Sequence, residues 1–188
     1  MTMNKNALTF QIDEKVVYPA HGVGVITAIE EQEVAGFKLE LLVITFDKDR
    51  LILRIPVTKA MGSGLRSLSD RAVVKQALEI LSGRARAKRG VWSRRAMELQ
   101  ERIGTGQLTA IAEVLRDLNR GPEHEEASYS ERQIFESALD FMVREVAAVN
   151  RLTPTEAQKL VEQALAKAPS KAETRVGEQK DSDDEAAA

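Results

Sequence analysis

A chain of 188 residues with a 43% hydrophobic fraction carries enough apolar material for one packed domain or two small ones. Its formal net charge of -2 excludes a surface that binds nucleic acid throughout, so any positive charge that matters must be local. The lack of cysteine removes disulfide frameworks and thiolate metal sites, zinc fingers included, and agrees with a reducing compartment. The N-terminal stretch has no continuous apolar core of the signal-peptide kind, and no run is long enough to span a membrane. A soluble, cytoplasmic protein is therefore expected.

After an expected flexible start, residues 1–11, the texture from Ile12 to Val57 is that of strands: short β-branched and aromatic runs separated by glycine and charged turns. Candidate strands are residues 14–18, 23–33, 37–46 and 50–57. Their close spacing favours antiparallel neighbours. Val23, Val25 and Ile29 share one parity and would bury one face of the second strand, whereas the third is apolar on both faces and should lie inside the sheet. In the fourth, Leu51, Leu53 and Ile55 form one apolar face while Ile52 and Arg54 project from the other. That second pair is either a protein-binding surface or a solvated Arg whose stem covers the sheet. Pro56 suits a sheet edge, which can recruit a partner's strand. A small twisted sheet of this kind is most economically closed as a barrel-like module.

Beyond Gly62-Ser63-Gly64 apolar residues recur at helical spacing. A first helix over about 70–81 buries Val74, Ala77, Leu78 and Leu81. A second starts after a Ser93 cap and runs to about Ile103, with Trp92 at its entrance. A third, about 107–119, carries the stripe Leu108, Ile111, Ala112, Leu115 and Leu118. Ser130 and Gln133 form a capping box for a long helix to about Val149, whose stripe is Phe135, Leu139, Met142, Val146 and Val149. Thr153, Pro154 and Glu156 make a second capping box for a last helix to about Lys167. The acidic end is expected to be disordered. These elements give an α+β chain of two domains: an N-terminal sheet module over 12–67 and an all-α bundle of about five helices over 68–168, followed by a tail over 169–188.

Residues 84–95, Arg-Ala-Arg-Ala-Lys-Arg-Gly-Val-Trp-Ser-Arg-Arg, are half cationic, contain no acid and hold the only tryptophan. Clustered cations neutralise phosphates and release counterions, and a large flat ring can stack on a base or wedge a base step. Trp92, Arg94, Arg95, Lys88 and Arg89 are thus candidate DNA contacts. The alternative is a solvated basic run with Trp92 in the core. Arg94 and Arg95 in a first helical turn oppose the helix dipole, a local cost without an evident structural gain.

Chemistry is otherwise sparse. His21, in a turn, and His124, in a polar loop, have no paired-ligand pattern, so no metal and no cofactor are expected. No phosphate-cradling Gly-Lys-Ser/Thr motif and no nucleophile elbow occur, and Gly22-Val23-Gly24 lacks the helix that dinucleotide binding requires. Nothing favours an enzyme.

Several stretches together resemble the CarD/CdnL family of bacterial RNA polymerase-binding transcription regulators. They are Val16-Val17-Tyr18-Pro19-Ala20-His21-Gly22, Leu53-Arg54-Ile55-Pro56-Val57, Trp92-Ser93-Arg94-Arg95, and Thr105-Gly106 followed by Ile111 to Leu118, with Ser130-Glu131-Arg132 entering the next helix. The likeness is colinear over roughly residues 10–166. It implies a Tudor-like N-terminal domain that docks on the polymerase β subunit, with Arg54 at the polymerase-contact position beside Ile52 and Leu53. It also implies a helical domain that reaches promoter DNA at the upstream edge of the transcription bubble. There Trp92 would wedge into the minor groove and Arg94 and Arg95 would hold phosphates, lengthening the life of the open complex. The second basic position that some members use against the polymerase is Gln32 here.

The expectation is a monomeric regulator that meets DNA while bound to polymerase. Two other readings stand beside it: a stand-alone architectural DNA-binding protein, and a protein adaptor in which Trp92 is core.

Overall fold

The computed structural model describes residues 10–34, 36–86, 91–119 and 127–169. The N-terminal start up to residue 9, Lys88, Arg89, His124 and the acidic tail from residue 170 lie outside the described residues. Contacts divide the chain into two compact units between Leu68 and Ser69.

The first unit is a five-stranded antiparallel sheet: β1 (Lys15–Tyr18), β2 (Gly22–Val34), β3 (Phe37–Phe46), β4 (Leu51–Pro56) and β5 (Arg66–Ser67). The hydrogen-bonded order β4-β3-β2-β1-β5 places β3 inside the sheet and leaves β4 and β5 as its edges. Leu41, Leu42, Val43 and Ile44 are all buried, as the two-faced apolar run of β3 requires. Leu42, Ile44 and Phe46 point into a core with Val16, Ile26, Ile55 and Leu65, and Phe10, from ahead of the first strand, joins them.

The expected parity of β2 is reversed in its first half. Gly22, Gly24 and Ile26 face inward, while Val23 and Val25 are half-buried; further along, Ile29 pairs with the inward-facing Leu42 but is itself exposed. Two causes act together. Phe46 occupies the space beside Gly24, where a Cβ would come within 2.7 Å of its ring, so the residue with no side chain supplies the inner face. An irregularity between Ile26 and Ala28 then shifts the register against β3 and changes which residues face the core.

Three elements had no sequence signal. Val57–Ala60 forms one helical turn (α1), followed by a 3-10 turn over Met61–Ser63. Beyond Gly64, which has φ of 83°, Leu65 returns to the core and Arg66–Ser67 pair with Val17 and Val16. A two-residue strand has no periodicity to read; only a partner nearly fifty residues away makes it one.

The second unit holds five helices among the described residues: α2 (Arg71–Leu81), α3 (Trp92–Gly104), α4 (Leu108–Leu118), α5 (Tyr129–Asn150) and α6 (Pro154–Ala166). Their apolar stripes meet in one core of Val74, Leu81, Leu99, Leu108, Leu115, Met142 and Val161 with their neighbours. α6 begins as expected, with Thr153 Oγ1 accepting from the Glu156 amide and Glu156 accepting from Thr153.

The cap of α5 lies two residues before the expected one. Ser128, not Ser130, accepts from the Glu131 amide, because Ser130 has a tertiary partner. Its innermost stripe is Ile134, Ala138, Met142 and Val146, with Phe135, Leu139 and Val149 half-buried alongside. Arg151, in a left-handed conformation with φ of 57°, ends it. α3 also starts earlier than expected: Val91 is its N-cap, no side chain caps it, and Trp92 is its first residue.

Candidate functional site

Trp92 is half-buried and packs against the helical core. Its ring N–H donates to Ser130 Oγ at 2.8 Å, so the polar edge of the indole is satisfied by the start of α5. The guanidinium carbon of Arg95 lies 5.9 Å from the ring centroid, within cation–π range. Arg95 Nη2 also donates to the Asp117 carbonyl at 3.3 Å, which turns this cation inward toward α4. Arg94 points out, its side chain 88% exposed, with Glu98 one turn along at 3.8 Å. Among exposed ion pairs such a contact is weak and leaves the cation able to meet a phosphate. Val91 and Met97 add exposed apolar surface to the same end of α3.

An acid enters the basic stretch from elsewhere in the chain. The Asp117 carboxylate accepts from the Arg86 backbone N–H at 3.0 Å and from Arg116 Nε and Nη2 at 3.0 and 2.8 Å. Arg102 Nη1 stands 3.8 Å from its other oxygen and 3.5 Å from Glu113. Arg86, Arg95, Glu98, Leu99, Arg102 and Asp117 together line a shallow cleft. The spacing of 84–95 gave no hint of this, because the acid is 31 residues from Arg86. The available signal was a charged pair, Arg116-Asp117, set inside the apolar stripe between Leu115 and Leu118.

In the first unit, register puts Ile52, Arg54 and Pro56 of β4 on the same outer face as Thr45, Val43 and Leu41 of β3 and Glu30 and Gln32 of β2. Ile52 is 55% exposed, and Arg54 Nε donates to Glu30 Oε2 at 3.3 Å across the intervening strand. Leu53 turns the other way, half-buried against the core. The structure therefore joins Ile52 and Arg54 on one surface and turns the Leu53 side chain away from it. His21 bonds Asp49 at 3.1 Å and lies against Tyr18 and Phe46, closing two turns of the sheet.

Among the described residues, no helix is long and apolar enough to cross a membrane, and no group of three or more His, Asp or Glu side chains could hold a metal ion.

Comparison with known proteins matches residues 10–68 to the CarD-like/TRCF RID domain and residues 76–162 to the CarD C-terminal domain. The YdeB protein of Bacillus subtilis (strain 168), named as a candidate transcription factor, is 31% identical over 144 residues, covering 77% of this chain and 94% of that protein. The solution NMR structure of the 72-residue N-terminal domain of Myxococcus xanthus CarD is 31% identical, covers 36% of this chain and 89% of that chain, and has a TM-score of 0.28. The two domain matches in colinear order, with a relative alike over nearly its whole length, place this chain in the CarD family of RNA polymerase-interacting transcription regulators.

Proposed function

We propose that this chain docks on the β subunit of RNA polymerase through β4 and the outer face around Arg54, and stabilises the promoter open complex through Trp92. In this reading Ile52 and Arg54 supply side-chain contacts, and the β4 edge, Leu53 included, supplies backbone groups to the partner. Arg94, with Lys88 and Arg89, holds phosphates at the upstream edge of the bubble. Arg95 is shared between the indole and α4. The protein acts as a monomer in the cytoplasm, without a cofactor or catalytic step.

One observation carries the reading: the only tryptophan stands at the first residue of a helix, half-exposed, between a guanidinium on its face and a neighbouring Arg94 directed into solvent. A few phosphate contacts alone give weak, salt-sensitive affinity. Tethering by the polymerase raises the local concentration of the helical unit at the fork. If stacking of one aromatic stabilises the melted state by about 1 to 3 kcal/mol, open-complex lifetime changes by roughly tenfold to a hundredfold.

The test is the lifetime of open complexes with the wild type and Trp92→Ala. The variant should shorten it while binding polymerase normally; an unchanged lifetime sinks the wedge. A second reading, a protein adaptor in which Trp92 is structural, draws on the ring's packing against the helical core and its bond to Ser130. It expects Trp92→Ala to unfold the helical unit. Architectural DNA binding without polymerase is weighed by a gel-shift titration at physiological salt, where tight binding of the isolated chain would favour it.

A further inference from the structure

We infer that Asp117 is a positioning residue: its carboxylate and carbonyl hold both flanks of the basic segment, and this fixes how Trp92 and the cations around it meet DNA. The inference rests on the DNA contact proposed above and adds to it a residue that touches no nucleic acid.

The geometry is that of an anchor. The Asp117 side chain is only 7% exposed, and Arg116, whose side chain is 9% exposed, neutralises it from the adjacent position through two hydrogen bonds. A buried, charge-paired carboxylate is a strong acceptor, and its Oδ1 takes both Arg116 hydrogen bonds and one further donor. What it accepts is a backbone N–H: that of Arg86, an exposed residue beyond the end of α2. A main-chain donor carries no charge to a phosphate, so this bond serves the path of the chain. On the far side of the segment, Arg95 binds the carbonyl of the same residue while its guanidinium lies near the Trp92 ring. Gly83, where the segment leaves α2, sits over the stem of Arg116, with the position of a Cβ 3.6 Å from its Cδ. Arg86 before the segment's middle and Arg95 after it are therefore both tied to Asp117 on α4, which gives the segment two fixed points. Preorganisation of this kind lowers the ordering cost of binding.

Replacing Asp117 outright also strips the buried Arg116 of its partner, so the decisive comparison leaves both in place. Arg86→Ala and Arg86→Pro lose the same side-chain charge, but only the proline variant loses the anchored N–H. Each is made in the full chain and compared for polymerase binding and open-complex lifetime. With polymerase binding equal, Arg86→Pro should shorten the lifetime about tenfold or more beyond Arg86→Ala, toward the level of Trp92→Ala. Equal lifetimes for the two variants overturn the inference.

Hydrogen exchange at the Arg86 amide provides a readout without DNA. It should be slow in the wild type, fast in Asp117→Ala and still slow in Asp117→Asn, which keeps an acceptor oxygen. Exchange that is already fast in the wild type also overturns the anchor. A protected amide combined with an unchanged lifetime in Trp92→Ala counts against the DNA reading instead.

Discussion

The indole N–H of Trp92 and the Oγ of Ser130, 2.8 Å apart, join the first residue of α3 to the second residue of α5. This bond ties together the starts of two helices, both of which begin earlier than their local sequence suggests. Ser130 is used across the bundle, so capping falls to Ser128, and α3 starts at the residue whose ring is held. Ser130→Ala removes the acceptor and leaves a half-buried N–H to find water. It should cost about 0.5 to 1.5 kcal/mol, which for a domain of this size is a fall of several degrees in melting temperature. The indole Nε1 proton should exchange faster in NMR spectra of the variant; an exchange rate equal to that of the wild type would mean that the bond does not persist in solution.

Arg54 and Glu30 face each other across β3 with more than 45% of each side chain exposed. A pair so exposed is worth about 0 to 1 kcal/mol. Arg54→Glu should therefore melt close to the wild type while losing polymerase binding by tenfold or more, if the cation meets an acidic partner. Pull-down on the polymerase β subunit separates the two effects: full retention by a folded variant removes Arg54 from the interface.

Gly24 has no space for a side chain. A Cβ there would meet two carbons of Phe46 at 2.7 and 2.9 Å and one of Ile44 at 2.8 Å, all in the sheet core. Gly24→Ala should destabilise the first unit by about 1 to 3 kcal/mol through overpacking. Denaturant unfolding, followed by NMR signals from the sheet, should show an earlier midpoint than the wild type. Signals from the helical unit serve as the internal reference.

Glu156 caps α6, and its hydrogen bonds from the backbone and the hydroxyl of Thr153 hold its carboxyl below the usual value of 4.5, with a small opposing contribution from desolvation. A carboxyl group depressed in the folded state stabilises the protein above its unfolded pKa, and the contribution is lost as pH falls through the folded value. Thermal melts at neutral pH should therefore rank the wild type above Glu156→Gln. The gap should close as pH drops below about 4.5. A gap that stays constant through the acid range would show that charge plays no part in the cap.

Periodicity and turn chemistry made most elements legible. The alternation in β3 and β4, the stripe of α4 and the Thr153 box are local properties, fixed by which residues stand two, three or four apart, and the structure retains them. The family likeness rested on the same local record, since Trp92-Ser93-Arg94-Arg95 and Leu53-Arg54-Ile55-Pro56-Val57 are contiguous. The face of β2 was misread for a tertiary reason. A glycine looks neutral in a one-dimensional pattern, yet Phe46 fills the space in front of Gly24 and makes its side the inner one.

By itself, the amino-acid order determined an antiparallel sheet followed by helices, a local rather than global positive charge, and one aromatic ring among the cations. Those outcomes depend on short-range sterics and on composition, which need no folded context. Only the tertiary structure decided that Ser130 would hold the indole, that Glu30 would reach Arg54 across a strand, and that Asp117 would anchor the backbone at Arg86. Each of these pairs is separated by more than twenty residues, and a hydrogen bond acts over about 3 Å. Until the helices and strands pack, nothing in the order of residues says which donor will find which acceptor.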